Sequence, residues 1–172
     1  MKKFLFFAIF SIISTLVAAQ EMNCSFTQDR TIKASGKVFH SEGVISFTAP
    51  DQLTMTFTDP EGEYFIISGP MLRSNTQGKN ISVNTDKSAI FRSLRNTLIY
   101  CITGEYEKAA QENDAELTVS EKNGIKYVSM KARKTLPRGY SGVEMEYNKK
   151  GLPVRMVLEE YVGITTEYHF KY

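Results

Sequence analysis

The sequence predicts a mainly β protein, in which a meander of antiparallel hairpins forms a curved sheet covered by an amphipathic helix. Short segments rich in β-branched and aromatic residues recur along the chain, separated by turn sequences such as those at 59–62 and 148–151. Segment 86–101 instead repeats its apolar residues at helical spacing. A helix inserted into a meander has only the sheet to pack its apolar stripe against, so we expect it to lie over the curved sheet.

Residues 1–19 have the pattern of a secretory signal peptide. Lys2 and Lys3 form the charged start, an apolar run follows, and Val17 and Ala19 place small residues at the cleavage site. We therefore expect cleavage after residue 19 and export to the periplasm. Residues 20–172 are expected to form one domain, because a chain of about 150 residues usually folds around one core.

The charge balance gives no support to a nucleic-acid partner. The chain carries 21 Lys and Arg against 19 Asp and Glu. The excess comes from the two lysines of segment 1–19, so the remaining chain is formally neutral. We expect neither nucleic acid nor an acidic membrane surface as a partner.

The predicted strands follow from residue type and turn punctuation. The clearest is 52–58, in which Leu53, Met55 and Phe57 alternate with threonines, so that one face is apolar and the other hydroxylated. In chain order, the predicted strands are 41–48, 52–58, 64–68, 79–83, 115–119, 125–132, 143–147, 152–160 and 165–172.

The predicted helix 86–101 ends before Gly104, and a shorter helical segment, 105–111, follows it. Phe91, Leu94 and Leu98 share one face of the longer helix. We expect this face to close the open side of the sheet as a lid, with Arg92 and Arg95 exposed to solvent.

Two cysteines in an exported chain permit a disulfide between Cys24 and Cys101. The alternative is that Cys101 is a small core residue of the helix and Cys24 lies in a loose N-terminal arm. Sequence spacing does not decide between them, because a bridge requires the two Cα atoms to lie within reach.

Motifs for catalysis or cofactor binding are missing from the sequence. It has no phosphate-binding loop, no dinucleotide glycine pattern and no zinc-ligand spacing, and its only histidines are His40 and His169. A hydrolase would need distant loops to assemble a base and a nucleophile. We therefore expect a protein that is not an enzyme and that binds no metal or cofactor.

Methionine is frequent in the predicted strands, at Met55, Met130, Met145 and Met156. Met is flexible and polarizable, which suits a surface that adapts to varied apolar ligands, although ordinary core filling is the alternative for each one. Together with a single covering helix, these residues leave room for an apolar cavity.

Several segments resemble the periplasmic lipoprotein carriers of the LolA family. The family pattern runs F-x-Q, G-x-[ILF]-x-[FY]-x-x-P, an aromatic strand, a Pro turn and a terminal Gly. The resemblance extends over 24–172 and includes a final aromatic strand. The segments that carry it are 26–30, 41–50, 53–57, 59–60, 66–69 and 151–153.

The resemblance implies an open, incomplete β-barrel, or half-barrel, whose apolar concave face lies under a helical lid and holds acyl chains. The implied partners are acylated lipoproteins or other lipids, an inner-membrane donor and an outer-membrane acceptor, and we expect a monomer. The residues expected to line the cavity are Ile45, Phe47, Leu53, Met55, Phe57, Phe65, Ile67, Met130, Met145, Met156 and Leu158.

Two departures from the family pattern leave undecided which ligand the protein binds. Segment 20–25 is too short for the helix that usually precedes the F-x-Q strand, and Ala49 occupies the position before the strand-ending Pro where carriers commonly have an Arg that latches the lid. The alternatives are therefore a LolA-like carrier of another lipid or a glycolipid precursor, and a half-barrel that acts as a sensor or binding module.

Overall fold

The computed structural model describes residues 21–134 and 138–172, and the predicted signal peptide, 1–19, lies outside them. The fold is mainly β, with two α-helices between the sixth and seventh strands. The strands are β1 (Glu21–Ile32), β2 (Lys37–Thr48), β3 (Gln52–Asp59), β4 (Tyr64–Ser68), β5 (Met71–Thr76), β6 (Lys79–Asn84), β7 (Ala115–Lys122), β8 (Ile125–Ala132), β9 (Tyr140–Tyr147), β10 (Pro153–Glu160) and β11 (Ile164–Lys171). The helices are α1 (Ala89–Thr103) and α2 (Tyr106–Glu112).

All the strands belong to one antiparallel sheet. Its order is β6-β5-β4-β3-β2-β1-β11-β10-β9-β8-β7, so β1 lies at the centre between β2 and the last strand, β11. The end strands β6 and β7 do not pair with each other, and the sheet stays open rather than closing into a barrel. The predicted fold class, an open half-barrel with a helical cover, is confirmed.

The sequence did not predict the central strand β1 or strand β5. β1 has an alternation of its own, since Met22, Cys24 and Phe26 are buried and the residues between them are exposed. The alternative that placed Cys24 in a loose N-terminal arm is therefore wrong. β5 gives a weaker signal, because Leu72 is its one fully buried side chain. A near-edge strand needs little apolar surface, so its sequence is largely polar.

The buried side chains of the strands meet on the concave face of the sheet. Phe26 of β1 lies edge-on to Phe57 of β3, with ring centroids 5.3 Å apart. Gly43 of β2 makes this packing fit, because a Cβ there would lie 2.2 Å from the carbonyl oxygen of Thr56 and 3.0 Å from the Phe26 ring. Backbone and aromatic ring thus leave no space for a side chain at position 43.

We expect Gly43→Ala to lower the free energy of unfolding by about 1–3 kcal/mol, the usual cost of overpacking a core. Urea unfolding of the full chain measures the change. Ser46→Ala, at an exposed position of the same strand, is the matched control and should be nearly neutral. Equal stability of the two variants would contradict this account of the β2–β3 packing.

Helix α1 begins three residues later than predicted and extends to Thr103. A single turn of 3-10 helix, Thr85–Lys87, precedes it, and Asn84 accepts a hydrogen bond there from the Asp86 N–H. The helix ends at Gly104, where the sequence indicated a stop, and the positive φ of 76° at this glycine forms a left-handed cap. Within 21–134 and 138–172, no helix is both long enough and apolar enough to span a membrane.

Candidate functional site

An apolar cavity of about 390 Å³ lies between the concave face of the sheet and helix α1. Strands β2, β3, β4 and β10 contribute its apolar wall, and Leu98 and Ile102 of α1 cover it. At one end the lining becomes polar, at Gln28, Arg30, Glu63, Thr76 and Glu160, which we call the polar rim. The remaining lining residues are Ile45, Leu53, Met55, Phe57, Phe65, Tyr140, Met156, Leu158, Thr166 and Tyr168.

The polar rim also borders the larger groove of the structure. This groove, of about 640 Å³, shares Gln28, Arg30, Glu63 and Thr76 with the apolar cavity. It is otherwise lined mainly by turn and strand-end residues, and its larger apolar side chains are Phe39 and Pro60, so it lacks the continuous apolar wall of the cavity. One end of the apolar cavity therefore lies at α1 and the core. The other end opens into this solvent-exposed groove.

The structure brings together most of the residues predicted to line the cavity. Ile45, Leu53, Met55, Phe57, Phe65, Met156 and Leu158 all contribute to its wall. The others are packed into the hydrophobic core and do not reach the cavity surface, and they are Phe47, Ile67, Met130 and Met145. Alternation places a residue on the concave face, but contacts with other elements decide whether it borders the open space.

Only part of the predicted lid face covers the cavity. Leu98 lines the cavity, Leu94 is half-buried, and Phe91 is 38% exposed. Phe91 lies two turns before Leu98 on the same face, in the first turn of α1, and does not line the cavity. Ile102, one turn beyond Leu98, was missed as a lid residue, although the continuing helical spacing was a signal for it.

Arg95 corrects the expectation that it is exposed, since only 16% of its side chain is accessible. Its Nη1 donates to Thr85 Oγ1 at 2.8 Å, to Asp86 Oδ1 at 3.2 Å and to the carbonyl oxygen of Gly69 at 3.3 Å. Thr85 in turn donates to the carbonyl oxygen of Pro70 at 2.9 Å. A charged side chain of α1 thus ties the helix to the β4–β5 turn and to the segment before the helix.

Helix α2 is tied to α1 by a second polar network. Asn113 Nδ2 donates to Thr97 Oγ1 at 2.7 Å, and Thr97 donates to the carbonyl oxygen of Ser93 at 2.8 Å. Asn96 Nδ2 donates to Glu112 Oε2 at 3.2 Å. These bonds satisfy polar groups that α1 buries, and they make the two helices one covering unit.

Both cysteines are free thiols, so the structure does not contain the disulfide that the sequence permitted. Cys101 is fully buried on α1, and desolvation raises the pKa of its thiol to about 12. Burial likewise raises the pKa of Cys24 on β1. Raised pKa values keep both groups as neutral thiols, which act here as small core side chains.

The end of the cavity near the rim is a low-dielectric environment. Burial raises the pKa of the Tyr168 and Tyr140 hydroxyls. Glu160 is the inward member of the Glu159-Glu160 pair; desolvation raises the pKa of its carboxyl, and the positive charge of Arg30 partly opposes this shift. Charged groups at this end are therefore poorly hydrated.

Both histidines lie outside the apolar cavity. His40 pairs with Asp29 at 2.6 Å and His169 with Glu167 at 3.1 Å. In the part of the chain that the structure describes, no group of three His, Cys, Asp or Glu side chains could hold a metal ion. The cavity can remove an apolar chain from water while leaving a polar group at the rim.

The structure is similar to several solved structures of low sequence identity. The solved structures that it resembles include a LolA superfamily protein from Nitrosomonas europaea, with TM-score 0.42, 10% identity and coverage of 88% of this chain and 84% of that one. A DUF1329 family protein from Desulfovibrio piger has TM-score 0.41, 9% identity and coverage of 90% and 85%. The lipoprotein LppX of Mycobacterium tuberculosis has TM-score 0.36, 10% identity and coverage of 87% and 84%.

No curated protein matches the sequence. The family described as "Outer membrane lipoprotein carrier protein LolA" matches residues 18–172, which is nearly the whole chain.

Proposed function

Since the chain belongs to the LolA family, we propose that it is a periplasmic carrier that holds the acyl chains of lipoproteins, or of a related lipid, and shuttles them toward the outer membrane. The observation that carries the proposal is the cavity of about 390 Å³, walled by apolar side chains of the sheet and covered by α1. Its size falls within the range usual for small-molecule sites.

Burial of the acyl chain supplies the affinity. Each buried CH₂ contributes about 0.8 kcal/mol, so a contact of about ten carbons contributes roughly 8 kcal/mol before association costs. Met55 and Met156 lie in the cavity wall, and their flexible side chains can adapt to chains of different shape. Affinity of this kind depends on apolar area and places few demands on the identity of the lipid.

Release follows from incomplete burial. The cavity opens at its polar rim, and α1 covers the other side as a separate element whose contacts can be exchanged for those of a ligand. Transfer then runs by mass action from an inner-membrane donor to an outer-membrane acceptor of higher affinity. We propose that the carrier acts as a monomer, with one cavity in each chain.

Mass spectrometry of lipids extracted from the protein after purification from the periplasm tests this proposal. We expect acylated species in near-stoichiometric amount, and saturable binding of a fluorescent acyl probe by the delipidated protein. A protein that carries no acylated species and does not bind the probe would contradict the proposal.

A further inference from the structure

The concave face of β1 changes from apolar to polar along its length. Met22, Cys24 and Phe26 are buried core residues, and the same alternation then brings Gln28 and Arg30 to this face, where both line the cavity. A strand that ends its inward-facing row with an amide and a guanidinium is unusual for a simple core, because a charged side chain loses hydration there. The polarity of β1 therefore matches an amphipathic ligand, apolar at one end and polar at the other.

The positive charge of Arg30 acts on the Glu160 carboxyl, but Arg30 forms no salt bridge with any residue of the described chain. The salt bridges of 21–134 and 138–172 engage Arg95, Arg133 and Arg155, and none of them reaches Arg30. Its side chain is half-buried in the polar rim, where water access is reduced. A guanidinium presents five N–H donors in a planar fork that fits a carboxylate or a phosphate with two parallel hydrogen bonds. The rim thus holds a cation whose donors are available to a ligand.

Neither carboxyl group of the rim forms a salt bridge with Arg30 within 21–134 and 138–172. Glu63 Oε1 accepts a hydrogen bond from the backbone N–H of Gln77 at 2.7 Å, which holds this carboxylate at the β5–β6 turn. Glu160 lies farther along the sheet: Arg30 pairs in register with Thr166, and Thr166 with Leu158, so that the Glu160 position is two strands away and two residues on. Desolvation also raises the pKa of its carboxyl, and the positive charge of Arg30 partly opposes this shift.

We infer that Arg30 binds the acid group, a carboxylate or a phosphate, of an anionic lipid whose hydrocarbon chain occupies the apolar cavity. The inference rests on the proposed carrier function and names the class of ligand that it serves. The hydrocarbon chain would extend from Arg30 past Leu158 and Met55 toward α1. The acid group would remain at the solvent-exposed groove that the polar rim borders. Gln28, beside Arg30 on the same strand face, supplies a further amide donor.

Displacement of a fluorescent acyl probe by dodecanoate, dodecyl phosphate, methyl dodecanoate and inorganic phosphate tests this inference. We expect the two anionic lipids to bind about ten- to a hundredfold more tightly than the neutral ester, because each adds charge-assisted hydrogen bonds to the same chain burial. Inorganic phosphate should not compete at the same concentrations. Comparable binding of inorganic phosphate would show a chain-independent anion site and would overturn the inference.

The variant Arg30→Gln should lose the preference for anionic lipids over methyl dodecanoate. Arg30→Lys should keep part of the preference, since it retains the charge without the planar fork. Arg73→Gln, at an exposed position of β5, is the matched control, and a thermal melt of each variant verifies the fold. A preference that persists in Arg30→Gln, or is absent from the wild type, overturns the role of Arg30 and leaves the carrier proposal intact. If none of the lipids binds the wild-type protein, both this inference and the carrier proposal are overturned.

Discussion

The Met55→Glu substitution is expected to abolish binding of a fluorescent acyl probe. Met55 lies in the cavity wall and is nearly fully buried, and its neighbours across the sheet are Ile45 and Phe65. A glutamate at this position would either place an unpaired carboxylate against the ligand chain or bind a proton and remain a polar group in an apolar wall. Either outcome removes the apolar contact on which binding depends, so affinity should fall by at least about a hundredfold.

Thr56→Glu is the matched control for this substitution. Thr56 is the next residue of β3 and is exposed on the opposite face, so the same charge there should leave probe affinity unchanged. Probe titration and urea unfolding should be measured on both variants, since Met55→Glu also lowers stability. A folded Met55→Glu variant that binds the probe as the wild type does would remove this strand from the binding surface.

The Arg95→Met substitution is expected to loosen the cover and to speed ligand exchange. Arg95 makes three hydrogen bonds that tie α1 to the β4–β5 turn and to the segment before the helix. Methionine keeps much of the aliphatic stem but removes these donors, and hydrogen bonds of a charged group contribute about 1.5–3 kcal/mol. The Asp86 partner is largely exposed, so its share is small. We expect unfolding free energy to fall by about 2 kcal/mol and the probe dissociation rate to rise by about tenfold.

Arg92→Met provides the comparison, because Arg92 is exposed on the same helix. Stopped-flow displacement of the probe measures dissociation in both variants. If Arg95→Met loses stability but releases the probe at the rate of the Arg92→Met control, then Arg95 supports the fold only and α1 does not control ligand exchange.

The arginine that holds the cover comes from the helix. The family resemblance associates a lid-latching Arg with the position of Ala49, and Ala49 is only partly buried against the core. Arg95 instead reaches from α1 to Gly69 and Thr85. A polar attachment of the helical cover is thus present in this chain, and its charged group lies on α1 rather than at position 49.

Local residue patterns were enough to predict the mainly β class, the helix that ends at Gly104 and the apolar face of β3. These features depend on short-range patterns: Leu53, Met55 and Phe57 must share a face because strand side chains alternate, and Gly104 permits the left-handed cap. The resemblance of the motifs at 26–30 and 41–50 also indicated the half-barrel.

The packing of distant segments determines which concave residues border open space and which fill the core. Met55 and Met145 follow the same alternation, yet the first lines the cavity and the second is packed away from it. This packing also determines the environment of Arg95, which a helical wheel places beside exposed positions but which the β4–β5 turn covers. Alternation fixes the direction of a side chain, whereas its burial depends on contacts with segments distant in sequence, which no local pattern specifies.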